Sequence, residues 1–520
     1  MMPAKQNRSL VSLESLLGDM VQMSSDILVA NLRLDTRNIE ANDVFLAVAG
    51  SQTHGMMYAD QAIKMGAIAI IYDPAAGGEF LAEKVKKEHN VCLFELPNLQ
   101  INISTIAARF YQHPTRELSV IGITGTNGKT SVSHFIAQAL NSNKNAAEAC
   151  GVIGTLGWGS VENLKKTINT TPDAVSVQRQ LATLLEDGTN AVAMEVSSHG
   201  LDQGRVNAVE FKGAVFTNLS HDHLDYHQTL EAYGEAKLAL FKSPSLEFVV
   251  LNSDDAFYAT ILQTLSSTIK VYTFSRSLKR ADVKHCLFIS NTQLSAMGLL
   301  FDLSFNGQKA RIQSALFGDF NIDNICATIG VLLAMGHSFD VAISKVKAVR
   351  GVLGRMQLVS VKDSEPTVIV DYAHTPEALK LALLSLREHC EGSLRLVFGC
   401  GGNRDERKRP LMGSIAAELA DSIVITNDNP RLESAEGIAE QIAVGAHSAA
   451  DLTVILDRQQ AIRQSIATAD AKDIILVAGK GHEDYQQIGH EKIAFNDIAQ
   501  VEAALKLRSL SDSGEDGCKP

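Results

Sequence analysis

Short apolar runs rich in β-branched residues recur along most of the 520-residue chain, and they alternate with stretches whose apolar positions return at helical spacing. Such runs, bounded by turn residues, read as strands buried on both faces, and their alternation with helices predicts α/β domains on largely parallel sheets. In residues 1–98 the runs DVFLAVAG and GAIAIIYD flank a polar loop, Gly50 to Asp60, and predict a small α/β unit. A connecting stretch punctuated by Pro97 and Pro114 follows. From Ser119 a buried strand, a Gly-rich turn and a helix come in succession, and strands are expected again at NAVAMEV, GAVFTNL and FVVLNSDD. Beyond Arg350 to Gln357 the alternation restarts. TVIVDYA, LRLVFGC, SIVITND, LTVILD and DIILVAGK, with helical runs such as Pro376 to His389 between them, predict a Rossmann-like domain. The tail SDSGEDGCKP is nearly devoid of apolar residues and reads as disordered. The expected organisation is therefore three α/β domains, 1–98, 99–350 and 351–520, a number that suits roughly 150 residues per domain.

Composition narrows the function classes. Apolar residues make up 45% of the chain and charged residues 20%, and the net charge is −12, which argues against a broad nucleic-acid or anionic-membrane binder. No apolar run approaches the ~18 residues of a membrane span. The seven cysteines are scattered without a CxxC pair, fitting a reducing, cytoplasmic setting rather than a disulfide framework. A monomeric protein with no nucleic-acid or membrane partner is expected.

The sharpest local chemistry lies at Ser119 to Leu140. A β-branched strand enters Gly125, Thr126, Asn127, Gly128, Lys129, Thr130 and Ser131, and Val132, Phe135, Ile136, Ala139 and Leu140 then share one helical face. Glycines admit phosphate oxygens to backbone N–H groups, the helix N-terminus adds positive potential, Lys129 suits β/γ-phosphates, and the Thr130 hydroxyl suits Mg²⁺. Ile123 stands where the usual GxxxxGK[ST] loop has its first Gly. The competing reading is a Gly-rich strand-to-helix turn with an incidental Lys.

Glu195 ends the strand NAVAMEV, where a carboxylate near a phosphate loop is placed to hold a metal, or simply to cap a helix. TNLSHDHLDYH then brings His221, His223 and His227 within seven residues. HxHxD also occurs in dinuclear zinc hydrolases of the metallo-β-lactamase type, but Tyr226 stands where that motif continues with His, and a zinc hydrolase leaves the phosphate loop unexplained.

The loop GITGTNGKT resembles the ATP loop of the Mur ligase family, whose wider group includes folylpolyglutamate synthetases, and the resemblance continues through EVSSHGL, TNLSHDHLDYH and YGEAKLALF. It implies that Glu195 and His223 bind Mg²⁺ and that Lys237 is carbamylated (N6-carboxylysine); by itself the sequence reads Lys237 as a solvated helix residue. FGDFNIDNICA is similar to the family's adenine-side motif and implies ATP contacts for Asn321 and Asn324, although it reads alone as a helix start. Asp319 stands where relatives often carry a basic residue and receives no phosphate role. The resemblance further assigns Arg355, Asp371 and His374 to ATP and implies that domain closure completes the nucleotide site.

Other segments resemble the MurE branch of that family. They imply contacts to a uridine-nucleotide substrate from Thr36, His54, Asn169, Thr170, Thr171, Ser197, Gln203 and Arg205. Arg404, the DNPR run Asp428, Asn429, Pro430 and Arg431, and Gly479 and Glu483 are implied to bind meso-diaminopimelate. The implied activity is an ATP- and Mg²⁺-dependent ligation of meso-2,6-diaminopimelate to the D-Glu γ-carboxylate of UDP-MurNAc-L-Ala-D-Glu, in peptidoglycan precursor synthesis. The catalytic set that the resemblance implies is Lys129, Glu195, His223, Lys237 and Arg355. A folylpolyglutamate-type ligase shares the ATP loop but has no need of the uridine-like N-terminal segment or DNPR. A non-catalytic phosphate-loop protein has no need of Glu195, His223 and Lys237 together.

Overall fold

The computed structural model describes residues 10–50, 53–143, 148–277, 284–295, 297–362 and 364–514. The chain folds as two compact units, Met1–Thr273 with Gly330–Gly336, and Phe274–Ile329 with His337–Pro520. Among the described residues no helix is long and apolar enough to cross a membrane.

The first unit begins with a four-stranded parallel sheet in the order Leu32–Arg33, Val44–Ala47, Ala69–Tyr72 and Cys92–Glu95. Its two middle strands are buried at every position. Successive side chains point to opposite faces, so Val44, Leu46, Ala69 and Ile71 join a core with Leu99, Ile103 and Ile106. Phe45, Ala47, Ile70 and Tyr72 join another with Met56, Ala62 and Val85. The expected Gly50–Asp60 loop is partly helical, turning through Gly55–Tyr58 into the helix Ala59–Met65; its Ser51 and Gln52 lie outside the described residues. The connecting stretch is largely a helix, Leu99–Phe110, because its apolar residues recur at helical spacing and dock on the sheet.

The same unit holds a second sheet with a parallel core in the order Cys150–Gly154, Ala191–Glu195, Ser119–Thr124, Phe211–Phe216, Phe248–Asn252. From Ser119–Thr124 the chain goes to one side of the sheet and later returns to the other. The crevice beyond the C-terminal ends of its central strands is thus a topological switch point, where open α/β sheets bind ligands. The helix Lys129–Asn141 begins there and packs back on the sheet, with Val132, Phe135, Ile136, Ala139 and Leu140 all buried as their spacing predicts.

In the second unit an antiparallel meander, Cys286–Ser295, Gly298–Phe305 and Gln308–Ser314, precedes the helix Phe320–Ala334, whose residues from Gly330 on belong to the first unit. A six-stranded sheet follows in the order Gln357–Lys362, Glu365–Asp371, Ile474–Ala478, Leu394–Phe398, Ser422–Ile425, Leu452–Val454, parallel except for the first pair. The five strands expected there are all present. The meander, the antiparallel edge strand and the hairpin Tyr485–Ile488 with Glu491–Ala494 are additions. The helix Asp497–Gly514 takes in the first four residues of the tail expected to be disordered; residues 515–520 lie outside the described residues.

Candidate active site

The phosphate loop is held open by its backbone. Gly125 has φ 147° and Gly128 φ 85°, and a Cβ at Gly125 would fall 1.9 Å from Thr217 Oγ1. That threonine donates to Asn127 O at 2.6 Å, while Thr126 N and Asn127 N donate to Asn218 O and Oδ1. Lys129 folds back over the loop, donating to Gly125 O and Thr126 O, both at 2.8 Å. Ser131 lies in the first turn of the helix that the loop opens.

Glu195 is fully buried at the end of its strand. Thr130 Oγ1 and Thr155 Oγ1 donate to its Oε2 at 2.8 and 3.0 Å, and Thr155 N donates to Oε1 at 2.8 Å. Burial raises its pKa, against the lowering effect of those bonds and of Lys129. Among the described residues no Lys or Arg forms an ion pair with it. A buried carboxylate converging with a threonine hydroxyl is an oxygen-only donor pair, which suits a hard divalent cation.

Lys237 is the largest departure from the sequence reading. It is 1% exposed, donates to Gly125 O at 2.9 Å, and lies 4.1 Å from the centroid of Tyr233, one turn earlier on the helix Leu230–Phe241. Burial, then the neighbouring Lys129, pushes its pKa down to about 6. His223 instead is half exposed, 3.5 Å from Asp222. Its ring stands 4.9 Å from His199 and 6.1 Å from Tyr233, in an aromatic cluster that also takes in Tyr226 and His227. The structure thus joins Thr130 to Glu195 and ties Lys237 to the loop, while it draws His223 into a separate group of rings. Among the described residues only Asp60, Glu88 and His89 gather three metal-ligand atoms closely, so the HxHxD segment does not form the zinc site that its spacing allowed.

The proposed nucleotide-sugar contacts divide into two groups. Thr171 accepts from Ser197 N and donates to Glu195 O, and Thr170 meets Thr155. Arg205 donates to Thr171 O at 2.6 Å and to Gln203 Oε1, and Ser197 caps the short helix Ser198–Asp202. These residues form one network with the strand end, beside the exposed Asn169. Thr36 and His54 belong to the N-terminal sheet. Thr36 is bonded to Gln61, and both His54 ring nitrogens are engaged, by Asp73 O and Met56 N. The His54 ring is therefore committed to shaping its own loop.

In the second unit Asn321 donates to Phe317 O and accepts from Asn324. Asp319 is paired bidentately with Arg276, which also binds Asp323, consistent with the absence of a phosphate role. Asp371 is buried at its strand end and receives Met356 N and Ala373 N; burial raises its pKa. The guanidinium of Arg355 lies 5.0 Å from the Tyr372 ring centroid, and the His374 ring is 4.5 Å from the same ring. Nε of Arg355 is buried without a hydrogen-bond partner among the described residues.

At the C-terminal ends of the same sheet three loops converge. Arg431, in the left-handed region at φ 53°, donates through Nη1 to Gly402 O at 2.7 Å, while its backbone pairs with Gln487 and Gly489. Asn429 Nδ2 donates to Glu483 Oε2 at 2.8 Å, and buried Pro430 joins the two residues. A Cβ at Gly479 would fall 2.7 Å from Asp428 Oδ2, so only glycine leaves this buried carboxylate its place. Arg404 stands exposed nearby, 3.9 Å from a Cβ built on Gly401. Sequence reasoning gave no role to Thr155, Thr217, Tyr233 or Lys480, although Thr217 opens TNLSHDHLDYH and Tyr233 opens YGEAKLALF.

Comparison with known proteins agrees along most of the chain. Three family models match in order: Mur ligase family, catalytic domain, over residues 28–112; Mur ligase middle domain, over 123–332; and Mur ligase, glutamate ligase domain, over 354–481. The chain is 42% identical, over 93% of its length and 97% of the relative's, to the UDP-N-acetylmuramoyl-L-alanyl-D-glutamate–2,6-diaminopimelate ligase of Coxiella burnetii. It is likewise 42% identical, over 93% and 96%, to the ligase of that name from Pseudomonas aeruginosa. A solved structure of such a ligase matches with a TM-score of 0.70 at 33% identity, covering 96% of this chain and 99% of that one. A folylpolyglutamate synthase of Mycobacterium tuberculosis shares the fold at 18% identity and a TM-score of 0.55. With a phosphate loop, a buried strand-end carboxylate and three matched domains in one order, the chain belongs to the Mur ligase family.

Proposed function

We propose that this chain is an ATP-dependent amide ligase that joins meso-2,6-diaminopimelate to the D-Glu γ-carboxylate of UDP-MurNAc-L-Ala-D-Glu, in the cytoplasm, during peptidoglycan precursor synthesis. The observation that carries this reading is the DNPR loop, Asp428 to Arg431, clustered with Glu483 and Gly479 at the strand ends of a chain 42% identical to ligases of that name. Residues 1–98 are assigned to the uridine-nucleotide substrate, 99–350 to ATP and 351–520 to the amino acid. Thr36, Asn169, Thr170, Thr171, Ser197, Gln203 and Arg205 contact the nucleotide substrate, and His54 positions its loop.

A carboxylate does not condense with an amine near neutral pH, because its oxide is a poor leaving group. Transfer of the γ-phosphoryl group to a carboxylate oxygen breaks the bond to the β-phosphate bridging oxygen, releases ADP and creates an acyl phosphate. The amine of diaminopimelate attacks the acyl carbon, the tetrahedral intermediate expels phosphate, and the nitrogen loses a proton. Gly125 to Ser131 cradle phosphate through backbone N–H groups, and Lys129 leaves its loop carbonyls to neutralise phosphoryl charge. Arg355, whose buried Nε has no hydrogen-bond partner among the described residues, serves anionic oxygen as well, while Asn321, Asn324, Asp371 and His374 serve the nucleoside. Mg²⁺ would be held by Thr130, Glu195, His223 and the Lys237 carbamate, and would supply charge neutralisation. A neutral, buried Lys237 amine is the form that can react with CO₂ to give that carbamate.

The deciding experiment measures ATP-dependent phosphate release with UDP-MurNAc-L-Ala-D-Glu and, separately, meso-diaminopimelate, L-Lys or no amino acid. Release is expected with meso-diaminopimelate and little with L-Lys. Comparable rates with both amino acids would overturn the assignment of the amino acid, and release with neither would overturn the ligase reading.

A further inference from the structure

The second unit buries a cation that the chemistry above leaves without a role. Lys480, just past the strand Ile474–Ala478, has no exposed surface. Its Nζ donates to Asn429 Oδ1 at 3.1 Å and pairs with Glu483 Oε2 at 2.9 Å, and it lies 5.6 Å from the Tyr485 ring centroid. An ammonium in so dry a place is unfavourable unless it is paired and fully bonded, so replacing it by an apolar residue disturbs whatever it holds.

What it holds are two of the residues assigned to the amino acid. The protein uses three of the four hydrogen-bonding positions of the Asn429 amide: Oδ1 accepts from Lys480 and from Gln487 N at 2.9 Å, and Nδ2 donates to Glu483 Oε2. These bonds set which way the amide faces. Glu483 Oε2 receives both Asn429 and Lys480, whereas Oε1 has no partner among the described residues, and the side chain is 20% exposed. One edge of the carboxylate is anchored and the other is offered outward.

We propose that Lys480 is a positioning residue for the amino-acid substrate, holding Glu483 so that Oε1 receives an ammonium. This rests on reading the chain as a diaminopimelate ligase. Diaminopimelate carries two amines, and the attacking one must be neutral; the other remains cationic and is the natural partner of a fixed carboxylate. Lys480 acts through Glu483 and touches no substrate.

The test is steady-state kinetics of Lys480→Met, Glu483→Gln and the double variant, varying each substrate in turn. Lys480→Met is expected to raise the KM for meso-diaminopimelate about 10- to 100-fold, with the KM for ATP within about twofold of wild type. The double variant is expected to be no worse than Glu483→Gln alone. A folded Lys480→Met with unchanged diaminopimelate KM overturns the proposal, and so does a fall in kcat with no such KM change. If Lys480→Met does not fold, the double variant, which removes both charges, decides: a KM equal to that of Glu483→Gln supports the proposal, and a further loss overturns it. Wild-type protein that releases no phosphate with diaminopimelate marks failure of the underlying reading instead.

Discussion

Lys237 shows how much a single position depends on what the fold does to it. On a helical wheel it is one more charged residue, yet it is buried beside Tyr233 with a pKa near 6. Between about pH 6 and 10.5 the unfolded chain binds a proton that the folded amine rejects, so unmodified Lys237 destabilises the fold in that window, and stability rises with pH through it. Lys237→Met is therefore expected to lose most ligase activity and, in carbonate-free buffer at pH 7, to unfold at a higher temperature than unmodified wild type. A lower melting temperature would contradict the burial argument. Short-chain carboxylates are expected to restore some activity to Lys237→Ala by replacing the carbamate charge. Arg431 is a second such residue. Meso-diaminopimelate differs from lysine by a second carboxylate, which a planar guanidinium can bind through parallel hydrogen bonds. Losing such a charge-assisted pair costs ~2–5 kcal/mol, so Arg431→Ala is expected to lower kcat/KM for diaminopimelate roughly 30- to 3,000-fold. ATP and nucleotide-substrate KM values should stay near wild type, and a loss spread equally over all three substrates would remove the specificity role.

At the scale of elements, the strand ends decide where chemistry is possible. Gly154 closes its strand against Glu195, and a Cβ there would fall 2.0 Å from Glu195 Oε1. Gly154→Ala is expected to displace the carboxylate from Thr130 and Thr155 and to lower kcat at least about tenfold, although the residue lies outside the phosphate loop. Full activity with an unmoved Glu195 in a crystal structure of the variant would refute this. The parallel strands were legible because burial on both faces leaves IILVA with no polar position and AVAME with none before its terminal Glu195. The meander Cys286–Ser295 to Gln308–Ser314 was not, because half-exposed antiparallel strands mix polar and apolar residues and its turns are short. The phosphate loop and DNPR were legible as local motifs. Thr155 and Lys480 were not, since each acquires its meaning from a partner far along the chain, Glu195 at 40 positions and Asn429 at 51.

Across the whole molecule, burial shapes the response to acid in both units. His134 lies on the helix after the phosphate loop, and burial pushes its pKa down to about 4. In the second unit His389 bridges Gly318 N, which donates to its Nε2, and Ser295 O, 2.7 Å from its Nδ1. That arrangement requires the neutral ring, since a proton on Nε2 would face the Gly318 N–H, and burial lowers its pKa as well. Below pH 6.5 the unfolded chain takes up protons that these folded imidazoles refuse, so their contribution to stability is complete above 6.5 and is lost as pH falls. For His134 the loss reaches on the order of 3 kcal/mol by pH 4, at 1.36 kcal/mol per pKa unit. Glu195, Asp371 and Asp428 act in the opposite sense, because burial raises their pKa and they gain from protonation before their unfolded counterparts do. The wild-type curve therefore mixes opposing contributions, and the difference between wild type and variant isolates one of them. In thermal unfolding followed from pH 8 to pH 4, His134→Leu is expected to lose less stability below pH 6.5 than wild type, with the two slopes converging again above it. Curves that run parallel throughout would mean that His134 takes up its proton in the folded state as readily as in the unfolded one, and that its burial has been misjudged.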